Sequence, residues 1–343
     1  MFCHIPNHRS SRTMFAMKNE SRANSLILLF VTLTLCVLFW KTPAQPLFAG
    51  VDNWTSRGPE GGMIYALATD PTNPNTVYAG SYGGSVFKSI DGGATWTTIN
   101  SGLSYSGISC PVHELLVDPT TPSTIYFGSY GAGVFKSTDG GLSWNATTPP
   151  GVNPFIVGLA LDPSSPNKVF AANFFSILKS ADGGLTWAPK ASGLPPDVYI
   201  SDLGLDSHSP NNLYAGTDHG VYKSTDTGEN WTLANQGITS LNITALAVDP
   251  NASGVVYAAT YVIAESKGYL FKSTDGGANW TPAGLSSSFF LYSMAFSPDG
   301  VFAATSAGIY KSTIGSSDWS LIGPGTVYTV AADSARDPSM REP

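Results

Sequence analysis

Charge is scarce in this chain of 343 residues: only 12% are Asp, Glu, Lys or Arg, about half the share in an ordinary soluble domain. Arginine is absent from residues 58–335 altogether, and the net charge is −7. A chain so poor in bases has no basic face for phosphates, which excludes nucleic acid as a partner. Cysteine is nearly missing, at three residues, so a disulfide-stapled scaffold is excluded and packing must hold the core. The five histidines are scattered, and no ligand spacing calls for a metal or cofactor. Glycine (36), proline (24) and aromatic residues (12%) are plentiful within a 42% hydrophobic composition. That much punctuation argues against a helical protein, and that much apolar content argues against disorder. Many short strands joined by turns remain.

There is one long apolar run, Leu26 to Trp40, preceded by Lys18 and Arg22 and followed by Thr42-Pro43-Ala44. It is shorter than the roughly 20 residues that span a bilayer. The order of basic, apolar and small residues is that of a secretory signal peptide over residues 1–44, with an uncleaved anchor as the alternative. Met14 or Met17 offers a later start, because the first residues do not resemble a leader. The expected location is secreted, periplasmic or cell-surface. Removing residues 1–44 leaves 12 basic and 23 acidic residues, a net charge of −11, with Cys110 as the one cysteine.

The rest of the chain repeats. Trp54, Trp96, Trp144, Trp187, Trp231, Trp280 and Trp319 recur at intervals of 39 to 49 residues. Before five of them stands a Ser-x-Asp-x-Gly turn centred on Asp91, Asp139, Asp182, Asp226 and Asp275. A sixth copy, Ser312 to Trp319, has lost its aspartate. Each unit adds three alternating apolar stretches before the turn and a fourth at the tryptophan, as in Tyr65–Asp70, Thr76–Gly80 and Ser85–Ser89. Four short strands per unit of this length indicate an all-β fold, a β-propeller. Six blades are complete, and Trp54 and Thr326–Asp333 are remnants of a seventh that lacks two strands. The propeller is expected over residues 50–333, with an irregular tail at 334–343.

The turns are Asp-boxes, and the chain resembles the Asp-box (BNR-repeat) propeller families: sialidases, two-propeller xyloglucan hydrolases, sortilin-type receptors and a photosystem II assembly factor. The resemblance implies the fold and places the boxes at the edge, away from any active face, as stabilising turns. It does not fix a chemistry, because these families share the box and little else. Sialidases hold the substrate carboxylate with three arginines, and the blades here contain none. The assembly factor's arginine patch is missing for the same reason. The xyloglucan hydrolases place one catalytic aspartate on each of two propellers, and this chain encodes one. Sortilin-type receptors have a larger propeller and a cysteine-rich region after it.

Charges that recur in every unit are read as structural. The remainder includes His113, Glu114, Asp202, Asp218, His219, Glu229, Glu265 and Lys267. Ligands are expected on the face built by the loops between blades and between second and third strands. There the sequence places Tyr82, Tyr130, Phe174, His219 and Tyr261 as an aromatic rim suited to sugar rings or a peptide. Glycoside hydrolysis needs two carboxyl groups about 5–10 Å apart. Glu114, Asp218 and Glu265 are the candidates, read otherwise as solvated loop charges. The reading that leads is an exported, monomeric, non-catalytic propeller binding a polysaccharide, peptide or surface protein. The alternatives are a divergent glycoside hydrolase and a scaffold module of a larger surface protein.

Overall fold

The computed structural model describes residues 15–18, 26–32, 54–55, 58–59, 62–103, 110–149, 152–298 and 300–332, the first three segments as backbone alone. Glu60, Tyr105 and the expected tail lie outside the described residues, as does most of the expected leader.

The first unit forms Ile64–Asp70, Asn73–Ser81, Val86–Ser89 and Thr97–Thr98, paired antiparallel in that order. Five further units repeat this meander, with innermost strands Val112–Val117, Ile156–Leu161, Ile200–Leu205, Ile243–Val248 and Leu291–Ser297. The molecule is therefore a β-propeller of six four-stranded antiparallel blades. Four of its second strands, Ile125–Ser129, Val169–Asn173, Leu213–Thr217 and Gly300–Thr305, are buried at every position. This explains their continuous apolar runs: each is covered by a neighbouring blade on both faces.

The core consists of wedges between successive blades. One wedge joins Tyr78 and Ile99 of the first blade to Val112, Phe127 and Trp144 of the second. Two repeated side chains recur as pins across several of the wedges. The tryptophan indole N–H reaches back to the preceding blade: Trp144 donates to Ile99 O at 2.8 Å, Trp280 to Ala234 O at 2.8 Å and Trp319 to Ala283 O at 2.8 Å. The lysine before each turn serine reaches forward. Lys88, Lys136 and Lys223 donate to Gly140 O, Gly183 O and Gly276 O at 3.0, 2.7 and 2.7 Å, each lying over a tyrosine ring of its own blade. Glu229, left over by the repeat, pairs with Lys179 at 2.9 Å and Lys190 at 2.6 Å and so joins the third blade to the fourth.

Thr326–Ala332 stands between the innermost strands of the sixth and first blades, where Tyr328 meets Tyr292 at 5.1 Å and Tyr65 at 4.7 Å. Its backbone pairs with Leu26–Thr32, that strand with Phe15–Lys18, and the last with Trp54–Thr55. The sequence offers only the outer two of these four as strands, because the apolar run at Leu26 carries the pattern of an export leader.

Candidate functional site: a central channel with an aromatic rim

The innermost strands enclose a cavity of about 490 Å³ on the propeller axis. Each carries a β-bulge at the same place, with register shifts at Ile64/Ala66, Val112/Glu114, Ile156/Gly158, Ile200/Asp202, Ile243/Ala245 and Leu291/Ser293. A bulge re-aims the side chains beside it. The bulged residues Tyr65, His113, Val157, Ser201, Thr244 and Tyr292 all line the cavity.

The residues after three consecutive bulges are Glu114, Gly158 and Asp202. Glu114 and Asp202 both line the cavity. Between them the third blade offers no side chain, because a Cβ on Gly158 would lie 2.8 Å from Leu203 N. Burial pushes the Glu114 carboxyl up to about 8, and the charge of Asp202 adds to the rise. Asp202 is pushed up to about 7 by burial, although its oxygens accept the Leu203 and Leu246 N–H groups, each at 2.7 Å. Two carboxyls perturbed in this way hold at least one proton at neutral pH and can donate as well as accept. Beside them burial lowers His113 to about 4, keeping it neutral, and its Nδ1 is buried without a hydrogen-bond partner among the described residues.

Glu114 is therefore not a loop charge. It sits in the innermost strand Val112–Val117, and the carboxyl that shares its cavity is Asp202, not Glu265. Glu265 lies exposed in the turn Ile263–Glu265 and accepts the Tyr269 hydroxyl. Asp218 and His219 are exposed between the second and third strands of the fourth blade. His219 Nδ1 lies 2.8 Å from Asp218 Oδ1, whose hydrogen bond and charge raise the imidazole pKa. The Tyr199 N–H also donates to Asp218, at 2.9 Å. Sequence reasoning left Asp202 unpaired. The available signal was a carboxylate inside an apolar strand at the same offset as Glu114.

Four of the five expected rim residues, Tyr82, Tyr261, Tyr130 and Phe174, fall into two arcs at the end where second strands finish and first strands begin, while His219 belongs to neither. Tyr82, Tyr65, Tyr328, Tyr292, Phe290 and Tyr261 follow one another with ring centroids 4.6–5.5 Å apart. Across from them Phe174 meets Tyr130 at 5.3 Å, Phe155 at 5.7 Å and Tyr199 at 4.5 Å, with Phe175 beside it. Phe175 is 56% exposed and Tyr199 38%. Antiparallel order puts the Ser-x-Asp-x-Gly turns at the other end of each sheet. In the second blade Ser137 Oγ donates to Asp139 Oδ1 at 2.7 Å and accepts the Gly141 N–H at 2.9 Å. Asp139 in turn accepts the Ser143 N–H at 2.9 Å. Asp91, Asp182, Asp226 and Asp275 repeat the pattern, and hydrogen bonds from the residue four positions on hold all five carboxyls down to about 2.

Among the described residues no group of three or more His, Cys, Asp or Glu could hold a metal, and no helix is long and apolar enough to cross a membrane.

No protein-family model matches the chain, and no curated protein matches it. Solved structures do. An ancestral GH74 enzyme is similar at 21% identity and a TM-score of 0.62, over 81% of this chain and 39% of that one. The GH74 xyloglucanase from Xanthomonas campestris is similar at 19% identity and a TM-score of 0.59, over 79% and 47%. YCF48 bound to D1 peptide is similar at 16% identity and a TM-score of 0.57, over 76% and 82%. The chain thus spans less than half the length of these GH74 enzymes. At such identities the likeness is one of fold, shared by enzymes and by a peptide-binding protein.

Proposed function

We propose that the protein is a divergent Asp-box propeller, exported from the cytoplasm, that binds a glycan across the aromatic rim of its channel. The observation that carries this reading is the pair of aromatic arcs, with Phe175 and Tyr199 exposed on the face where the first strands begin. Rigid ring faces bordering a cavity suit stacking against sugar rings, and aromatic contacts supply area at low entropic cost. In this reading the sheet of Thr326–Ala332 occupies the position of a seventh blade, and the five boxes stabilise the outer edge. Affinity electrophoresis in gels cast with single polysaccharides tests it. At least one polysaccharide should retard the protein, and Phe175→Ala with Tyr199→Ala should abolish the retardation without lowering the thermal midpoint. Retention that survives both substitutions removes the rim from the binding site.

One observation favours hydrolysis as a second reading: Glu114 and Asp202 together offer a proton donor and a carboxylate beside the rim. Reducing-sugar release from the retarding polysaccharide, lost in Glu114→Gln, would convert the binding module into an enzyme.

A further inference from the structure

The cavity is lined by two carboxyl groups and by no lysine or arginine among the described residues. Asp202 has both oxygens engaged by backbone N–H groups. Among the described residues Glu114 has no such donor, and burial and the neighbouring Asp202 both raise it. His113, in the adjacent position, keeps Nδ1 buried and unpartnered, and as a neutral imidazole it adds no competing charge. Tyr65, Tyr292 and Tyr328 line the same cavity and follow one another in one arc, each ring tilted against the next. Aromatic faces and a desolvated carboxylate attract the same kind of ligand, a cation carrying several N–H donors. A bare metal ion does not fit, since His113, Glu114 and Asp202 do not converge into a ligand set, nor does any other group of three His, Cys, Asp or Glu among the described residues.

We infer that the channel mouth takes a primary ammonium group, presented by an amino-sugar residue of the glycan held on the rim. Binding releases to solvent the proton that Glu114 holds at neutral pH, and the ammonium N–H groups then donate to the Glu114 carboxylate and the His113 imidazole while the sugar ring rests among Tyr65, Tyr292 and Tyr328. A cavity of about 490 Å³ has room for one such ring. The inference rests on the glycan-binding reading and narrows its ligand to a cationic sugar.

Isothermal titration of the full chain at neutral pH tests it with four probes: a fully deacetylated chito-oligosaccharide, its N-acetylated form, a cello-oligosaccharide of equal length and tetralysine. The deacetylated sugar should bind at least about tenfold more tightly than the acetylated one, the range of a desolvated cation–aromatic and carboxylate contact. Glu114→Gln should erase that preference. The acetylation comparison needs no variant, so it stands even if Glu114→Gln folds poorly. Equal affinity for all three sugars would overturn the ammonium site and leave the rim reading intact. No binding of any sugar would overturn both. Glu114-dependent binding of tetralysine, without binding of the neutral sugar, would overturn the amino-sugar occupant.

Discussion

Glu114, Asp202 and His113 show how one environment moves three groups with different consequences for pH. Glu114 and Asp202 have folded pKa values above their ordinary ones, so their stabilising effect is complete at low pH and is lost as the pH rises to about 8 and about 7. His113 has a folded pKa depressed to about 4, so its contribution is present above its ordinary value of 6.5 and is lost as the pH falls through that interval. The trends oppose each other below pH 6.5, and only the carboxyl effect remains between about 6.5 and 8. His219, raised by Asp218, loses stabilisation in the same direction, so the comparison with a variant carries the test. Urea midpoints at constant ionic strength should fall across that window in the wild type and change less in Glu114→Gln. A wild-type midpoint that rises with pH would contradict the burial of Glu114. The acids were visible in the sequence as charges unexplained by the repeat. Their sharing of one cavity was not, because they sit on the second and fourth blades, whose innermost strands border a common channel only once the ring has formed.

At the scale of the element, the turns and strands were legible and the bulges were not. The box pattern names its own hydrogen bonds: a serine, an aspartate two positions on, and glycines where the backbone must be left-handed, as at Gly92 and Gly93 with φ of 69° and 83°. A bulge leaves no such signature. It skips one residue, so Val112-His113-Glu114 reads as the entry to a strand when it lies within the innermost strand. The fourth box departs from the pattern with Thr227 at φ 60°, where the other four boxes carry glycine. A β-branched residue there costs about 1–2 kcal/mol relative to glycine. Its hydroxyl offsets part of this by accepting from Lys179 Nζ at 2.7 Å, but Lys179 also donates to Glu229 at 2.9 Å and would keep that partner. Thr227→Gly is therefore expected to stabilise the protein by about 1 kcal/mol, read as a higher urea midpoint at unchanged slope. A lower midpoint would mean that the hydroxyl contact between the third and fourth blades outweighs the strain.

At the scale of the whole molecule, stability depends on closing the ring, since each blade buries its faces only against its neighbours. Thr326–Ala332 closes it: Val327 and Val330 are buried against the sixth blade, and Tyr328 bridges Tyr292 and Tyr65. A chain ending at residue 325 loses both valines, each worth about 1.5–3 kcal/mol, and exposes wedge faces of the first and sixth blades. It should melt far below the full chain and in more than one step, as repeat proteins do when nearest-neighbour interfaces are lost. A chain beginning at residue 45 is the informative partner. Val327 and Val330 pack on the sixth blade and Tyr328 on Tyr292 and Tyr65, so this chain should keep one cooperative transition close to that of the full chain. Leu26–Thr32 and Phe15–Lys18 would then add only an outer layer of backbone pairing, compatible with a leader that is removed. If the chain from residue 45 melts as low as the chain ending at 325, the first 44 residues are a working part of the ring and the leader reading falls.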